Sequence, residues 1–147
     1  DIAGIAHLAE GSPGRALALA QAGGMALYRE LVGLIASAPG IDARALHGFG
    51  DKLARRGAED AFAQAMALLG GWFARLVESA ARGIPFAELV PGEAQTAQRL
   101  LAARDLDQWL ELWEKVGDLT ARAGRVNLDR KQIVLSVFAA LERNARA

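Results

Sequence analysis

The sequence predicts an all-α protein, and three of its features support this. Apolar residues recur at three- and four-residue spacing along most of the 147-residue chain, which is the period of an amphipathic helix. Alanine and leucine are abundant, and both favour helices. Glycine and proline interrupt the pattern at intervals that suit turns between helices. We therefore expect two short helices, a glycine break, and then a bundle of five or six helices.

The first two predicted helices are short and are separated by a glycine-rich turn. An amphipathic segment covers residues 2–9, and the glycines within residues 11–14 break it. Ser12 can cap a new helix, and Pro13 suits the first helical position. We expect this second helix to run to about Ala22.

A pair of glycines marks a predicted domain boundary. Gly23 and Gly24 follow the second helix, and such residues are common where a helix ends or a chain bends. We therefore assign residues 1–22 to one unit and residues 23–147 to a helical bundle. Because the chain opens at Asp1 within a helical pattern, we expect it to be a fragment of a longer protein.

The bundle begins with two predicted helices. The apolar positions of the first are Leu27, Tyr28, Leu31, Val32, Leu34 and Ile35. Pro39 should stop this helix, and Asp42 can cap the next one, over residues 43–56. Gly48 and Gly50 weaken the second helix, since each costs about 1 kcal/mol relative to alanine.

The strongest apolar stripe follows and predicts the central, most buried helix of the bundle. It contains Phe62, Ala65, Met66, Leu69, Trp72, Phe73, Leu76, Val77 and Ala80. Glycines and prolines within residues 83–92 predict an irregular connector, because both residue types break regular structure. A short helix over residues 94–103 should come next.

Two further helices complete the expected bundle. Asp105 or Asp107 can cap the first, whose apolar positions are Leu106, Trp109, Leu110, Trp113, Val116 and Leu119. Gly124 should end it, and either Asn127 or Asp129 should start the last helix. We predict that the core contains Phe62, Met66, Leu69, Phe73, Leu76, Trp109, Trp113, Val137 and Phe138.

Composition narrows the classes of function. The net charge is zero, with 17 basic and 17 acidic side chains, so no overall field draws the chain to nucleic acid or to an anionic membrane. The chain has no cysteine, which excludes thiol nucleophiles and thiolate metal sites. Its apolar runs are shorter than the ~20 residues of a membrane span. We expect a cytoplasmic protein with protein partners and no cofactor.

The motifs of catalysis are missing from the sequence. His7 and His47 are the only histidines. Each has one acid a helical turn later, Glu10 and Asp51, but neither has a second histidine at that spacing to complete a metal site. No Gly-x-x-x-x-Gly-Lys-Ser/Thr loop occurs. Residues 11–14 could hold an anion, but they also fit a capped turn between helices. We predict no catalytic, cofactor-binding or metal-binding residue.

Three carboxylates leave one enzymatic alternative open. Glu111, Glu114 and Asp118 share a helix face and could suggest a metal-dependent all-α enzyme. Lys115 and Arg122 follow Glu111 and Asp118 at four-residue spacing, which favours ion pairs on a solvated face.

A nucleic-acid-binding helical domain is another alternative, but a protein interface fits the pattern better. Stacking platforms combine exposed aromatic and basic residues, whereas Trp109 and Trp113 lie within an apolar stripe. The basic cluster near the last turn is interrupted by acids. Arginine is enriched at interface hot spots, so we predict a subunit interface at Arg122, Arg125, Asn127 and Arg130.

Two segments resemble clamp-loader subunits of bacterial DNA polymerase III. Residues 9–20, AEGSPGRALALA, resemble the second-sensor segment in the lid of AAA+ clamp-loader subunits, in the Gly-Ser-Pro-Gly form of delta-prime subunits. Residues 126–132, VNLDRKQ, and the apolar helix after them resemble the last helix of the collar domain in that family. Between these two segments, the resemblance lies in the helical character of the chain and in the order and length of its domains.

The resemblance implies a non-catalytic role in DNA replication. Residues 1–22 would be the end of the lid, and residues 23–147 would be the collar domain that packs into a pentameric ring. The partners would be the delta and gamma/tau subunits, with no direct DNA binding by this region. The parent complex, classed as a DNA-directed DNA polymerase, loads the sliding clamp on primed DNA.

The gamma/tau subunit is the close alternative within the family. Its lid carries Gly-Ser-x-Arg, and Gly14 stands here at the position of that arginine. Arg15 comes one residue later, which is about 100° around a helix. We therefore expect Arg15 to be a surface or inter-domain residue and the lid not to sense nucleotide.

Overall fold

The predicted all-α class is confirmed. The computed structural model describes residues 23–123 and 129–146, which contain six helices and no strand. The helices are α1 Gly24–Ser37, α2 Ala43–Ala54, α3 Glu59–Arg82, α4 Glu93–Ala103, α5 Leu106–Ala123 and α6 Arg130–Ala145. The two helices predicted within residues 1–22, and the turn at 124–128, lie outside the described residues. None of the six helices is long and apolar enough to cross a membrane.

Local signals set the helix ends. The Asp42 carboxylate accepts from the Ala45 amide at 3.0 Å and caps α2. Asp129 is the cap of α6, since its carboxylate accepts from the amides of Lys131 and Gln132 at 3.0 and 3.3 Å. Gly83 ends α3 with φ of 65°, a left-handed conformation that favours glycine. These ends agree with the turn signals of the sequence.

Helix α3 is the centre of the bundle, as the strength of its apolar stripe predicted. It packs against α1, α2, α4 and α5, while α6 packs against α2, α4 and α5. Aromatic rings fill the contacts between helices. The Phe73 and Trp109 rings are stacked with centroids 6.4 Å apart, and Phe49 meets Phe138 edge-on at 6.3 Å. One core therefore joins all six helices.

The predicted core is confirmed except at Trp113. Trp113 is 39% exposed, whereas Trp109, four residues earlier, is fully buried. The buried side chains of α5 are Trp109, Leu112 and Val116. Because α5 packs mainly against α3 and α6, only one side of it is covered. The buried side of α5 therefore includes Leu112 and not Trp113. Leu112 was not among the apolar positions predicted from the sequence.

Candidate interaction surfaces

Arg130, one of the four predicted interface residues, makes contacts within the chain. Its guanidinium donates to the carbonyl oxygens of Leu53, Ala54 and Arg55 at 2.9, 3.3 and 3.1 Å. These carbonyls lie at the end of α2, where a helix leaves oxygens without an intrahelical partner. The Arg130 side chain is only 22% exposed. The observed contacts give Arg130 a role in joining α6 to α2.

The other predicted interface residues are less constrained by the fold. Arg122 is exposed on the last turn of α5, and its guanidinium lies 4.0 Å from the Asp118 carboxylate. The expected pair between Glu111 and Lys115 is not within ion-pair distance in the described part of the chain. Long exposed side chains gain little from such pairs. Arg125 and Asn127 lie outside the described residues, so an interface there stays a prediction.

Two further arginines bind the ends of helices that are distant in sequence. Arg99 of α4 donates to the carbonyls of Ala36 and Ala38 at 2.8 and 2.7 Å, at the end of α1. Arg104 donates to the Arg143 carbonyl at 3.0 Å, in the last turn of α6. Cations are favourable at these negative helix ends. The sequence predicts neither contact, because each acceptor is a backbone group brought close only by packing.

A buried carboxylate is the main polar feature of the interior. Glu93, at the start of α4, has no exposed surface. One of its oxygens, Oε2, accepts from the Tyr28 hydroxyl and from the Trp72 indole N–H, the latter at 3.0 Å. The other, Oε1, accepts from the amides of Leu89 and Val90 at 2.6 Å. Through these four hydrogen bonds, Glu93 joins the connector and α1 to the central helix α3.

Tyr28 links this carboxylate to an arginine. The hydroxyl of Tyr28 accepts from Nη2 of Arg75 at 2.8 Å, and the guanidinium carbon lies 5.0 Å from the centroid of the Phe86 ring. Burial, opposed by the Arg75 charge, raises the pKa of Tyr28 well above its usual value. Since each polar group already has a partner, the cluster offers no open position to a ligand. We assign it a structural role.

The chemistry of the described residues gives no support to the metal-dependent alternative. Glu111, Glu114 and Asp118 are all exposed on α5. Within residues 23–123 and 129–146, no three His, Cys, Asp or Glu side chains come together so as to hold a metal ion. His47 is exposed on α2, and His7 lies outside the described residues. Every buried side-chain nitrogen and oxygen in the described part has a hydrogen-bond partner.

An open groove lies where the connector leaves α3. Its volume is about 640 Å³, and its lining includes Ile84, Pro85, Ala94, Gln98 and Leu101. Ile84 is 43% exposed and is one of two large apolar side chains exposed in the described residues, the other being Trp113. The one carboxylate in the lining belongs to Glu88, which accepts from the amides of Gly92 and Ala94 at 3.1 and 2.9 Å. The groove therefore presents apolar side chains together with the amides of Gln95 and Gln98.

The outer face of α5 is the second exposed apolar surface. Leu106 and Leu110 are half-buried there and do not belong to the hydrophobic core cluster of the described residues. Together with Trp113 they follow helical spacing, and exposed carboxylates lie beside them. The sequence pattern placed all three in the apolar stripe of this helix and predicted Trp113 to be in the core, because periodicity alone does not separate an internal from an external stripe.

Comparison with known proteins adds no relative. No family model, curated protein or solved structure matches this chain.

Proposed function

We propose that this chain is a non-catalytic assembly module, the lid end and collar domain of a delta-prime-type clamp-loader subunit. The proposal depends on two sequence segments and on the helical bundle that lies between them. The Gly-Ser-Pro-Gly segment at residues 11–14 and the VNLDRKQ segment at residues 126–132 occur in the expected order. A helical bundle of the expected size occupies the chain between them. In this role the domain packs beside the collars of partner subunits while the sliding clamp is loaded on DNA.

The internal polar contacts are consistent with a structural module. Glu93 and the helix-capping arginines use their polar atoms to hold helices together. A rigid bundle suits a subunit that serves as a fixed support, because assembly then costs little ordering entropy. The exposed Arg122 and the neighbouring Arg125 are the side chains that we assign to a partner contact.

The experiment is reconstitution of the clamp loader with the full-length subunit that contains this chain. Its partners would be the delta and gamma/tau subunits of the same organism. We expect the subunit to co-elute with them on size exclusion, and the double variant Arg122→Ala, Arg125→Ala to weaken assembly. Arg130 is left intact, because its loss would disturb the fold. Glu78→Ala, an exposed position on α3, serves as the control variant.

The proposal fails if the wild-type subunit does not join the complex under conditions where the delta and gamma/tau subunits assemble with a known delta-prime. An unaffected double variant would leave assembly intact and remove the interface from Arg122 and Arg125. Circular dichroism of each variant confirms that it is folded.

A further inference from the structure

A second apolar stripe runs along the outer side of α5. It consists of Leu106, Leu110, Trp113 and Gly117, at spacings of four, three and four residues. Side chains at this spacing share one side of a helix. Leu106 and Leu110 are half-buried, and Trp113 and Gly117 are exposed. We call these four residues the outer stripe. Its spacing is that of the seam between two paired helices.

A row of carboxylates lies beside the outer stripe. Each member follows a stripe residue by one position, which is about 100° around the helix, and all four are exposed: Asp107, Glu111, Glu114 and Asp118. Only Asp118 has an ion-pair partner among the described residues, Arg122 at 4.0 Å. Within residues 23–123 and 129–146, the other three carboxylates of this acidic row lie beside apolar surface without an ion pair. Its charge favours a partner with basic residues along its edge.

Gly117, at the end of the outer stripe, leaves room for a partner to approach closely. It lies inside α5, where glycine costs about 0.5–1 kcal/mol relative to alanine. A Cβ atom built at Gly117 would meet no described atom within 4 Å. Packing among the described residues therefore does not require glycine. Small residues allow backbones to approach closely, and Gly117 is one turn from the exposed ring of Trp113.

We propose that the outer stripe and the acidic row together dock an amphipathic helix of another protein, one with lysine or arginine flanking its apolar stripe. The indole of Trp113 is the anchor, since buried tryptophans dominate interface energetics. The missing side chain at Gly117 lets the backbone of the partner helix approach closely. The acidic row attracts the lysine or arginine residues beside the apolar stripe of the partner. This inference does not depend on the clamp-loader proposal.

Two other occupants fit the charge pattern less well. Residues 1–22 of this chain contain two acidic residues and one arginine, so they supply little basic charge to the acidic row. A second copy packed antiparallel would bring the two acidic rows together, and like charges side by side oppose association. Both occupants are outcomes of the test below.

The test uses two synthetic helical peptides as probes. Both carry the same leucine stripe and no tryptophan; one has flanking lysines and the other has flanking glutamates. Binding to the full chain is measured by calorimetry and by tryptophan fluorescence. Trp72 and Trp109 are fully buried, so acrylamide quenching of the free chain reports mainly on Trp113, and Trp113→Phe identifies its share. We expect the lysine peptide to bind about tenfold more tightly or better, and to protect Trp113.

Matched variants locate the site. We expect Trp113→Ala and Gly117→Ala each to weaken the lysine peptide about tenfold. Ile84→Ala removes the other large apolar side chain that is exposed in the described residues, and Gly48→Ala fills another open helical position, on α2. Neither control should change the affinity. Glu111→Gln combined with Glu114→Gln should reduce both the affinity and its dependence on salt.

Several results would overturn the inference. Equal affinity for the two peptides would remove the acidic row as a selector, and undiminished binding by Trp113→Ala would remove the anchor. Absence of acrylamide quenching from Trp113 in the free chain would show that the chain's own residues cover the face. A dimer in sedimentation that Trp113→Ala converts to a monomer would make a second copy the occupant. Failure to join the clamp loader would leave this inference untouched.

Discussion

The fully buried carboxylate of Glu93 accepts a hydrogen bond from the indole of Trp72 at 3.0 Å. The two residues lie 21 positions apart, on α4 and on the central helix α3. Their contact places the first turn of α4, where a negative group is favoured by the helix dipole, against the middle of α3. It fixes how the irregular connector between them folds.

We predict that Glu93→Ala strongly destabilises the bundle. The substitution leaves four donors without their acceptor: the buried Tyr28 hydroxyl and Trp72 indole, and the part-buried amides of Leu89 and Val90. Each unpaired buried group costs about 1–3 kcal/mol, so we expect a loss of at least about 2 kcal/mol in urea unfolding. Glu114→Ala, at an exposed carboxylate, should change stability by about 0.5 kcal/mol or less. Similar losses for the two variants would contradict the assigned role of Glu93.

We predict that Tyr28 makes the fold sensitive to alkaline pH. Its pKa is raised in the folded state, mainly by burial, and stays near 10 in the unfolded chain. The folded state therefore holds the proton more tightly, so this contribution to stability is complete below about pH 10 and falls as the pH rises further. Tyr28 is the only tyrosine, which makes phenolate absorbance a specific reporter.

In that titration, phenolate should form only as the helices unfold, and Tyr28→Phe should lose less stability than wild type above about pH 10. Ionisation of Tyr28 near pH 10 in a chain that is still helical would show that the hydroxyl is accessible to solvent.

We predict opposite outcomes for the two tryptophans of α5. Trp109 is fully buried against Phe73, and its indole donates to the Leu100 carbonyl at 3.2 Å. Trp109→Ala should cost about 3–5 kcal/mol. Trp113→Ala, at the exposed position, should cost about 1 kcal/mol or less. Denaturant unfolding of both variants measures the difference, and comparable losses would mean that α5 is rotated relative to the structure described.

We predict that Arg130 contributes to stability and that Arg122 does not. Arg130→Ala removes the hydrogen bonds to three carbonyls at the end of α2, and bonds from a charged donor contribute about 1.5–3 kcal/mol. Arg122→Ala removes only a solvent-exposed ion pair, which contributes about 0–1 kcal/mol. Thermal melts compare the two variants. If both substitutions reduced the melting temperature by an equally small amount, Arg130 would again be assigned to the predicted interface.

Local patterns in the amino-acid sequence are enough to predict that this protein is helical and where most of its helices lie. The apolar residues of α3 from Phe62 to Leu76 recur at three- and four-residue spacing, and only a helix places residues at that spacing on one side. The cap at Asp42 and the left-handed turn at Gly83 act within a few residues of the chain. Local signals of this kind need no knowledge of the packing.

The rotation of each helix about its axis, and the pairing of polar groups from different helices, depend on how the helices pack. Leu112 is buried and Trp113 exposed because α5 packs on α3 and α6, and the apolar residues of α5 cover too much of its circumference to choose one side. Arg130 reaches the end of α2 across 75 to 77 positions of sequence. Every helix ends in free carbonyls, so the identity of the arginine that binds them depends on the packing of the helices.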